Sequence, residues 1–274
     1  MKRAILLLFA AVLVGCGPRD DKSHKDHGKE EKKKQDDHGG HDAPKNKSAL
    51  MVETEPAMAE AGKATVLKLM IHDAKGAKVR DFEIIHEEKI HLIIVRAGLD
   101  QFAHLHPTID GSGNISMKYS FPVGGTYHVF ADHKPKGQEQ VTPMAVLKVS
   151  GESPAAPPLT PNAPGKVQGD GLSAEISIQG GKSEREKAIL FDLRDESGKP
   201  VAGLQPYLGE KGHLVVLSAD AKEFVHSHPA DDKGQAANVV VFQTHFPGAG
   251  LYKGWGQFKR NDRVHTVPFV LKVD

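Results

Sequence analysis

The chain has 274 residues, and at a prior of about 150 residues per domain this length suggests two folded domains. Apolar residues make up 39% of it, which excludes wholesale disorder, and the net charge of +1 argues against a nucleic-acid-binding surface. A single cysteine excludes a disulfide framework, a thiolate zinc cluster and an iron–sulfur site. Histidine is the residue type that stands out, with 16 copies.

Residues 1–15 have the pattern of an export signal. After a short basic start, Ala4–Gly15 is a run of apolar or small residues. As a helix it would rise about 18 Å, too short for a hydrocarbon core of about 30 Å, so it predicts a cleaved signal peptide. Its end, Leu13–Cys16, resembles a bacterial lipobox. The resemblance implies lipidation of Cys16 and an anchor in the bacterial cell envelope facing the periplasm or the exterior, and Gly17 favours the outer membrane.

Residues 16–48 are predicted to be a disordered tether. Between Arg19 and Lys47, 17 of 29 residues are charged and none is aromatic or β-branched, so the segment cannot bury enough apolar surface to fold. Histidines lie among its acidic residues, at His24, His27, His38 and His41. His-rich tracts bind metal loosely, so a solvated spacer and a loose metal-binding segment are both open, and compatible, interpretations.

The rest of the chain is one module written twice. Asp73–Pro107 aligns without a gap on Asp195–Pro229, with twelve identical positions, and both modules close on Val-Leu-Lys-Val. Between them Ser153–Gly165 contains five prolines, which predicts a semi-rigid extended linker. The predicted organisation is module 1 at 49–150, a Pro-rich linker at 151–170 and module 2 at 171–274.

Each module is predicted to be all-β. No run of ten or more residues has convincing helical periodicity, and seven strands in about 100 residues is the count of an immunoglobulin-like β-sandwich. Tyr127 and Tyr252 each stand two residues after a glycine, as in the tyrosine corner of that fold. In module 1 the predicted strands are 49–54, 63–73, 89–96, 102–106, 114–121, 125–133 and 140–149.

Three histidines of each module are predicted to share one face of a sheet. His104 and His106 are two residues apart on a strand, so they point to the same side, about 7 Å apart. If this strand pairs with the preceding one as a hairpin, Ile93 faces His104 and His91 faces His106, with Cβ atoms about 5 Å apart. The same arithmetic groups three histidines of module 2: His213, His226 and His228.

Converging neutral imidazoles without a thiolate suit Cu(II) or Zn(II), so we predict one copper or zinc ion per module. Strand order in an immunoglobulin-like sheet brings His133 (or Asp132) near His91 and His265 near His213 as fourth ligands. A histidine pair at a strand end is more often a surface or packing feature. However, both modules keep the trio although two thirds of the aligned positions differ, which favours metal binding.

Three segments of module 2 carry a family resemblance: Gly212–Leu217, Phe224–Pro229 and Phe246–Phe258. They resemble a family of bacterial secreted, immunoglobulin-like domains that often occur with heavy-metal, particularly copper, resistance and transport systems. The resemblance implies metal handling without naming a reaction, with a metal-efflux or metal-delivery protein as partner. Module 1 departs from it at Ile90 and at His128–Phe130, which puts equal function of the two sites in doubt.

Two other classes of function stay open. Phe102–His106 is similar to a strand of copper/zinc superoxide dismutases, but this chain lacks their disulfide and their long zinc loop. A metal-free scaffold or adhesion lipoprotein is the other alternative, because tandem sandwiches on a tether are common surface architecture. The sequence favours a non-enzymatic, membrane-anchored, extracytoplasmic protein that captures or chaperones copper or zinc and has no nucleic-acid partner.

Overall fold

A computed structural model of the protein describes residues 48–180, 185–230 and 234–274. Both modules belong to one compact unit, Asp42–Asp274. The predicted signal peptide, the lipidated Cys16 and the tether up to residue 47 lie outside the described residues. Within the described ranges no helix is long and apolar enough to cross a membrane.

Module 1 consists of two sheets packed face to face. One sheet has the strand order β1-β3-β8-β7 and the other β2-β10-β9-β5-β6, with β4 paired to β9. These orders match the ABED and CFG sheets of an immunoglobulin domain, so the predicted fold class is confirmed. The strands are β1 Ala49–Glu55, β2 Ala59–Glu60, β3 Ala64–His72, β4 Phe82–Glu83, β5 Ile90–Arg96, β6 Phe102–Leu105, β7 Thr108–Ile109, β8 Ile115–Ser120, β9 Gly125–Pro135 and β10 Met144–Ser150.

Module 2 repeats this architecture. Its sheets have the orders β11-β12-β13-β18-β17 and β14-β19-β15-β16, with β20 paired to β19. The first strand already lies within the predicted linker, because Gly165–Gln168 pairs with the strand that follows it. The strands are β11 Gly165–Gln168, β12 Ser173–Gly180, β13 Glu186–Arg194, β14 Leu204–Gln205, β15 His213–Ser218, β16 Phe224–Val225, β17 Ser227–Pro229, β18 Val239–His245, β19 Gly250–Arg260 and β20 Arg263–Val273.

The two predicted tyrosine corners are present. The Tyr127 hydroxyl donates a hydrogen bond to the carbonyl oxygen of Val123 at 2.8 Å. The Tyr252 hydroxyl makes the same bond to Gly248, also at 2.8 Å. In each module this bond ties the start of the long strand, β9 or β19, to the turn before it, as in immunoglobulin domains.

Strand β5 differs from the other strands because every one of its seven residues is buried. A strand with one solvated face alternates between buried and exposed side chains, as β3 does. On β5, the even-numbered residues from Ile90 to Ile94 pack in the core of module 1. The odd-numbered Ile93 and Val95 point the other way, into a second apolar cluster. The outer face of this sheet is therefore covered, and module 2 covers it.

The modules pack through an apolar cluster to which both contribute equivalent positions. Phe102 stacks on Trp255, with ring centroids 4.5 Å apart and planes within 9°. Phe224, the repeat equivalent of Phe102, contacts Phe130, with ring centroids 5.9 Å apart. The fully buried members of this cluster are Ile93, Val95, Leu99, Phe130, Val215, Leu217, Ala221 and Trp255.

The proline-rich linker is held against this junction. Its Leu159 packs against the apolar cluster between the modules. Buried Arg96 pairs with Asp100 at 2.7 Å and donates hydrogen bonds to the Ser153 hydroxyl at 2.9 Å and to the carbonyl oxygen of Pro154. These contacts fix the start of the linker against module 1.

Candidate metal centre

The hairpin predicted from the histidine spacing is confirmed. Strands β5 and β6 pair with Ile93 opposite His104, and β5 pairs with β9 so that His91 lies opposite Asp132. His91, His104 and His106 therefore share the outer face of the module 1 sheet. Their ring centroids are 5.2 Å apart for His91 and His104, 5.1 Å for His91 and His106, and 4.9 Å for His104 and His106.

The corresponding group in module 2 does not assemble. Strand β16 ends at Val225, and from Ser227 the chain pairs with β18 in the opposite sheet. His226 and His228 are exposed, and among the described residues neither makes a ring contact with His213. The predicted cluster of His213, His226 and His228 is therefore wrong, because the chain changes sheets between two of its members.

His213 instead joins the histidines of module 1. Its ring stacks on that of His91, with centroids 5.5 Å apart and planes within 9°, and lies 4.7 Å from that of His104. One ring nitrogen from each of these three residues lies within 4.8 Å of the other two. We call His91, His104 and His213 the inter-module cluster. Histidines predicted for two separate sites thus form one site between the modules.

Two hydrogen bonds decide which nitrogens point into the inter-module cluster. The Nε2–H of His91 donates to the carbonyl oxygen of Ile85 at 2.9 Å, and the Nδ1–H of His104 donates to the amide oxygen of Gln257 at 2.7 Å. Because carbonyl and amide oxygens only accept, the other nitrogen of each neutral ring carries a lone pair. These two nitrogens, His91 Nδ1 and His104 Nε2, lie 3.0 Å apart. With the Gln257 amide in this orientation neither lone pair receives a hydrogen bond from the other ring, and a cation between them would satisfy both.

Burial favours the neutral form of His104 and His213 by lowering their pKa values. It lowers the pKa of His104 to about 3 and the pKa of His213 well below its ordinary value, with nearby histidines adding to the effect. It also lowers the pKa of His106 to about 4. The Nε2 atom of His106 is buried and has no hydrogen-bond partner among the described residues. Neutral imidazole is the form of histidine that binds a metal ion.

His133, predicted as a fourth ligand, faces the other way. It lies opposite Ile90 in the ladder between β5 and β9, and its ring packs against Phe82 with centroids 5.4 Å apart. A shift of one residue along a strand moves a side chain to the opposite face of the sheet. The neighbour that shares the face of His91 is Asp132, the alternative given for this position, and its carboxylate accepts hydrogen bonds from Gln140 and Thr142.

His265, predicted as the fourth ligand of module 2, also points to the opposite face of its sheet from His213, because it pairs one residue along the strand from the neighbour of His213. It pairs with Phe258, which lies in the core of module 2, and its Nδ1–H donates to the carbonyl oxygen of Asp170 at 2.7 Å. The residue opposite His213 on β19 is Gln257. The predicted fourth ligand of module 2 is therefore wrong, and an amide that orients His104 stands on that face instead.

His86 lies beside the inter-module cluster, although it is not among the ligands predicted from the sequence. Its ring centroid is 5.9 Å from that of His213 and 6.3 Å from that of His91. The repeat equivalent of His86 is Leu208, so comparing the two modules removes it from the candidates. A signal that could have found it was its position five residues before His91, on the approach to the same strand.

We expect the metal-free protein to lose stability as the pH falls from 6.5 towards 4. The ordinary histidine pKa is 6.5, whereas burial holds the pKa of His104 at about 3, so between these values the unfolded chain binds the extra proton. The free energy of unfolding then decreases by about 1.4 kcal/mol per pH unit for this residue. Urea unfolding with a chelator present at several pH values measures the slope. A His104→Gln variant with an unchanged slope would contradict this origin.

The comparisons with known proteins identify a family for this chain. The family model described as "Domain of unknown function (DUF8832)" matches residues 45–151 and again residues 166–274. No curated protein matches the chain.

Solved structures that resemble the chain include the Escherichia coli adhesin FdeC, with 16% identity, 84% of this chain covered and a TM-score of 0.28. The bacterial integrin-binding protein invasin has 14% identity over 81% of this chain, with a TM-score of 0.25. A marsupial T cell receptor has 10% identity over 84% of this chain and 97% of its own, with a TM-score of 0.25.

The chain spans 64% of the adhesin chain and 39% of the invasin chain. At these identities and TM-scores the likenesses bear on neither activity nor partners. The two family matches together cover most of the chain, one for each module. The chain belongs to the DUF8832 family and carries its domain twice.

Proposed function

We propose that this protein is an extracytoplasmic metal-binding protein that holds one copper or zinc ion in the inter-module cluster. The observation that carries the proposal is the pair of lone-pair nitrogens, His91 Nδ1 and His104 Nε2, which face each other at 3.0 Å. Two hydrogen bonds fix this arrangement from outside, so a metal ion completes it without a change of tautomer. One site per chain replaces the two sites predicted from the sequence.

The dimensions of the cluster support this proposal. With zinc–nitrogen distances of about 2.0–2.1 Å, two imidazole nitrogens on one tetrahedral ion lie roughly 3.3–3.4 Å apart. The nitrogens of His91 and His104 are within a few tenths of an ångström of that spacing, and the nitrogen of His213 lies within 4.8 Å of both. Three imidazoles without a thiolate suit Cu(II) or Zn(II). Gln257 would act as the outer group that orients a ligating histidine.

We also propose a cellular location, a role and a partner for this protein. The lipobox-like segment supports a lipid anchor at Cys16 in the bacterial cell envelope, with the modules facing the periplasm or the exterior. The resemblance to copper-associated secreted domains supports a role in metal homeostasis or resistance. A metal-efflux or metal-delivery protein would then be the partner that gives or receives the ion. We propose binding and delivery of the ion rather than catalysis.

A metal-free surface scaffold or adhesion protein is the second candidate. The buried apolar cluster joins the modules without any ion. In this case the histidines at the junction would be packing residues, and the outer surfaces of the two sandwiches would carry the function.

Metal titration separates the two candidates. The full-length chain, with alanine at the four tether histidines, is loaded with Cu(II) or Zn(II) and analysed for bound metal. We expect one ion per chain, loss of that ion in His104→Ala, and its retention in His226→Ala, the repeat-equivalent control. Two ions per chain would instead support the prediction from the sequence that each module has its own site. Absence of bound metal from the unsubstituted cluster would favour the scaffold.

A further inference from the structure

We propose that His86 is the outer ligand that captures the metal ion from solvent and passes it to His213 in the inter-module cluster. This inference rests on the proposed function and adds a route to it. The ligand class is the same, a first-row transition-metal cation such as Cu(II) or Zn(II). His86 would bind the ion only in transit and would not be part of the final site.

His86 is placed by an unusual turn. Ile85 and Glu88 exchange two backbone hydrogen bonds, of 2.8 and 3.0 Å, around the two central residues His86 and Glu87. Both central residues have positive φ, 47° and 68°, as a two-residue type I′ turn requires. The matching turn of module 2 has a glycine, Gly209, at the second of these positions. The equivalent of His86 itself is Leu208, which also has positive φ, 57°, so both modules form this turn and only module 1 places an imidazole on it.

The same turn is tied to the inter-module cluster. The carbonyl oxygen of Ile85, the residue just before His86, accepts the hydrogen bond from Nε2 of His91. The turn therefore both orients one ligand of the cluster and presents the His86 ring beside it. With ring centroids 5.9 Å from His213 and 6.3 Å from His91, the ring is near both ligands. An ion held by His86 is then within a short side-chain movement of the next nitrogen donor.

His213 and His86 are more exposed than His91. His91 is only 2% exposed, whereas His213 and His86 are both partly exposed. The exposed His228 is close enough to act electrostatically on His86, as is the exposed carboxylate of Glu210. An exposed carboxylate near His86 raises the local concentration of cations there.

His86 does not belong to the group of residues whose ligand atoms lie within 4.8 Å of one another. Its proposed role is therefore that of a donor in transit rather than a resident ligand. A donor used only in transit changes the rates of binding and release by the same factor. The equilibrium affinity then stays the same, which distinguishes this role from that of a permanent ligand.

The test is stopped-flow loading of the full-length chain with Cu(II) or Zn(II), with alanine at the four tether histidines in every protein. His86→Asn removes the imidazole, and asparagine tolerates the positive φ of this position. We expect the association and dissociation rate constants each to fall by about tenfold, with the dissociation constant changed less than threefold. His245→Asn, an exposed histidine in the opposite sheet of module 2, is the matched control and should change neither rate.

His86→Gly repeats the test with a second residue suited to the turn. Unchanged rates in both His86 variants, with full binding of the ion, would overturn the transit role and leave the proposed function intact. A large loss of affinity would also overturn it, because His86 would then be a resident ligand. Failure of the unsubstituted inter-module cluster to bind metal would instead remove the proposed function on which the route depends.

Discussion

Alanine at His213 will weaken the affinity of the chain for Cu(II) or Zn(II) by about 100-fold or more. Removing even a group that only orients a ligand costs about 10–100-fold in metal affinity, and the loss of a ligand costs at least as much. The effect is large because the His213 ring lies against both histidines of module 1, 5.5 Å from His91 and 4.7 Å from His104. Competition with a chelator of known affinity measures it.

The control for this prediction is His228→Ala. His228 belongs to the predicted trio of module 2 together with His213, but it is exposed and lies outside the inter-module cluster. Its loss should change the affinity by less than threefold. If each module held its own ion, His213→Ala would halve the metal content and leave the affinity of the remaining site unchanged. That result would rule out a shared site.

Alanine at Trp255 will lower the free energy of unfolding by about 3–5 kcal/mol, the range for removing a large buried aromatic side chain. Trp255 is 4% exposed and stacks on Phe102 of the other module at 4.5 Å. Its removal opens a cavity in the apolar cluster that joins the modules, which neighbouring side chains fill only in part. Urea unfolding followed by far-ultraviolet circular dichroism measures the loss.

The comparison for Trp255→Ala is Val146→Ala, a truncation at a position that is 58% exposed. An exposed substitution of this kind changes stability by about 0.5 kcal/mol or less. If Trp255→Ala also fell within that limit, the packing between the modules would not contribute to stability. The junction would then be a contact that the two folded modules make without depending on it.

Much of the fold could be predicted because local sequence patterns determine it. The long strands follow from apolar runs bounded by turn residues, and the tyrosine corners follow from the spacing of one glycine and one tyrosine. The two-residue strands β2, β4 and β7 were not predicted. So short a strand has no pattern of its own and exists only because a neighbouring strand offers hydrogen bonds.

The site was predicted in part. The alternation of side chains along a strand was enough to bring His91, His104 and His106 together. It failed in module 2 because the chain leaves β16 after Val225 and pairs with β18 from Ser227. Leu105 packs against the core of module 1 and extends β6, whereas its equivalent Ser227 lies within hydrogen-bond distance of the Thr244 hydroxyl, 3.0 Å, in the opposite sheet.

An internal sequence repeat also does not reveal which of two equivalent residues makes a given contact. The arithmetic that placed His213 beside His226 was carried out inside one module, whereas the structure puts His213 beside the histidines of the other. In the structure all seven residues of β5 are buried, so its outer face is covered. Which part of the chain covers this face depends on how the whole chain packs, and a local sequence pattern does not carry that information.

The junction between the modules has the form of a contact between identical subunits. Phe102 meets Trp255 while its equivalent Phe224 meets Phe130, so each half offers the other the same patch, as in an isologous dimer. A lone copy of this domain with such a face would be complementary to itself. Fusion of two copies makes the pairing intramolecular, at the high effective concentration that a short connector provides. Fusion also allows the two halves to differ in sequence. One chain can therefore keep a single cluster of imidazoles, whereas a symmetric pair of identical subunits would have two.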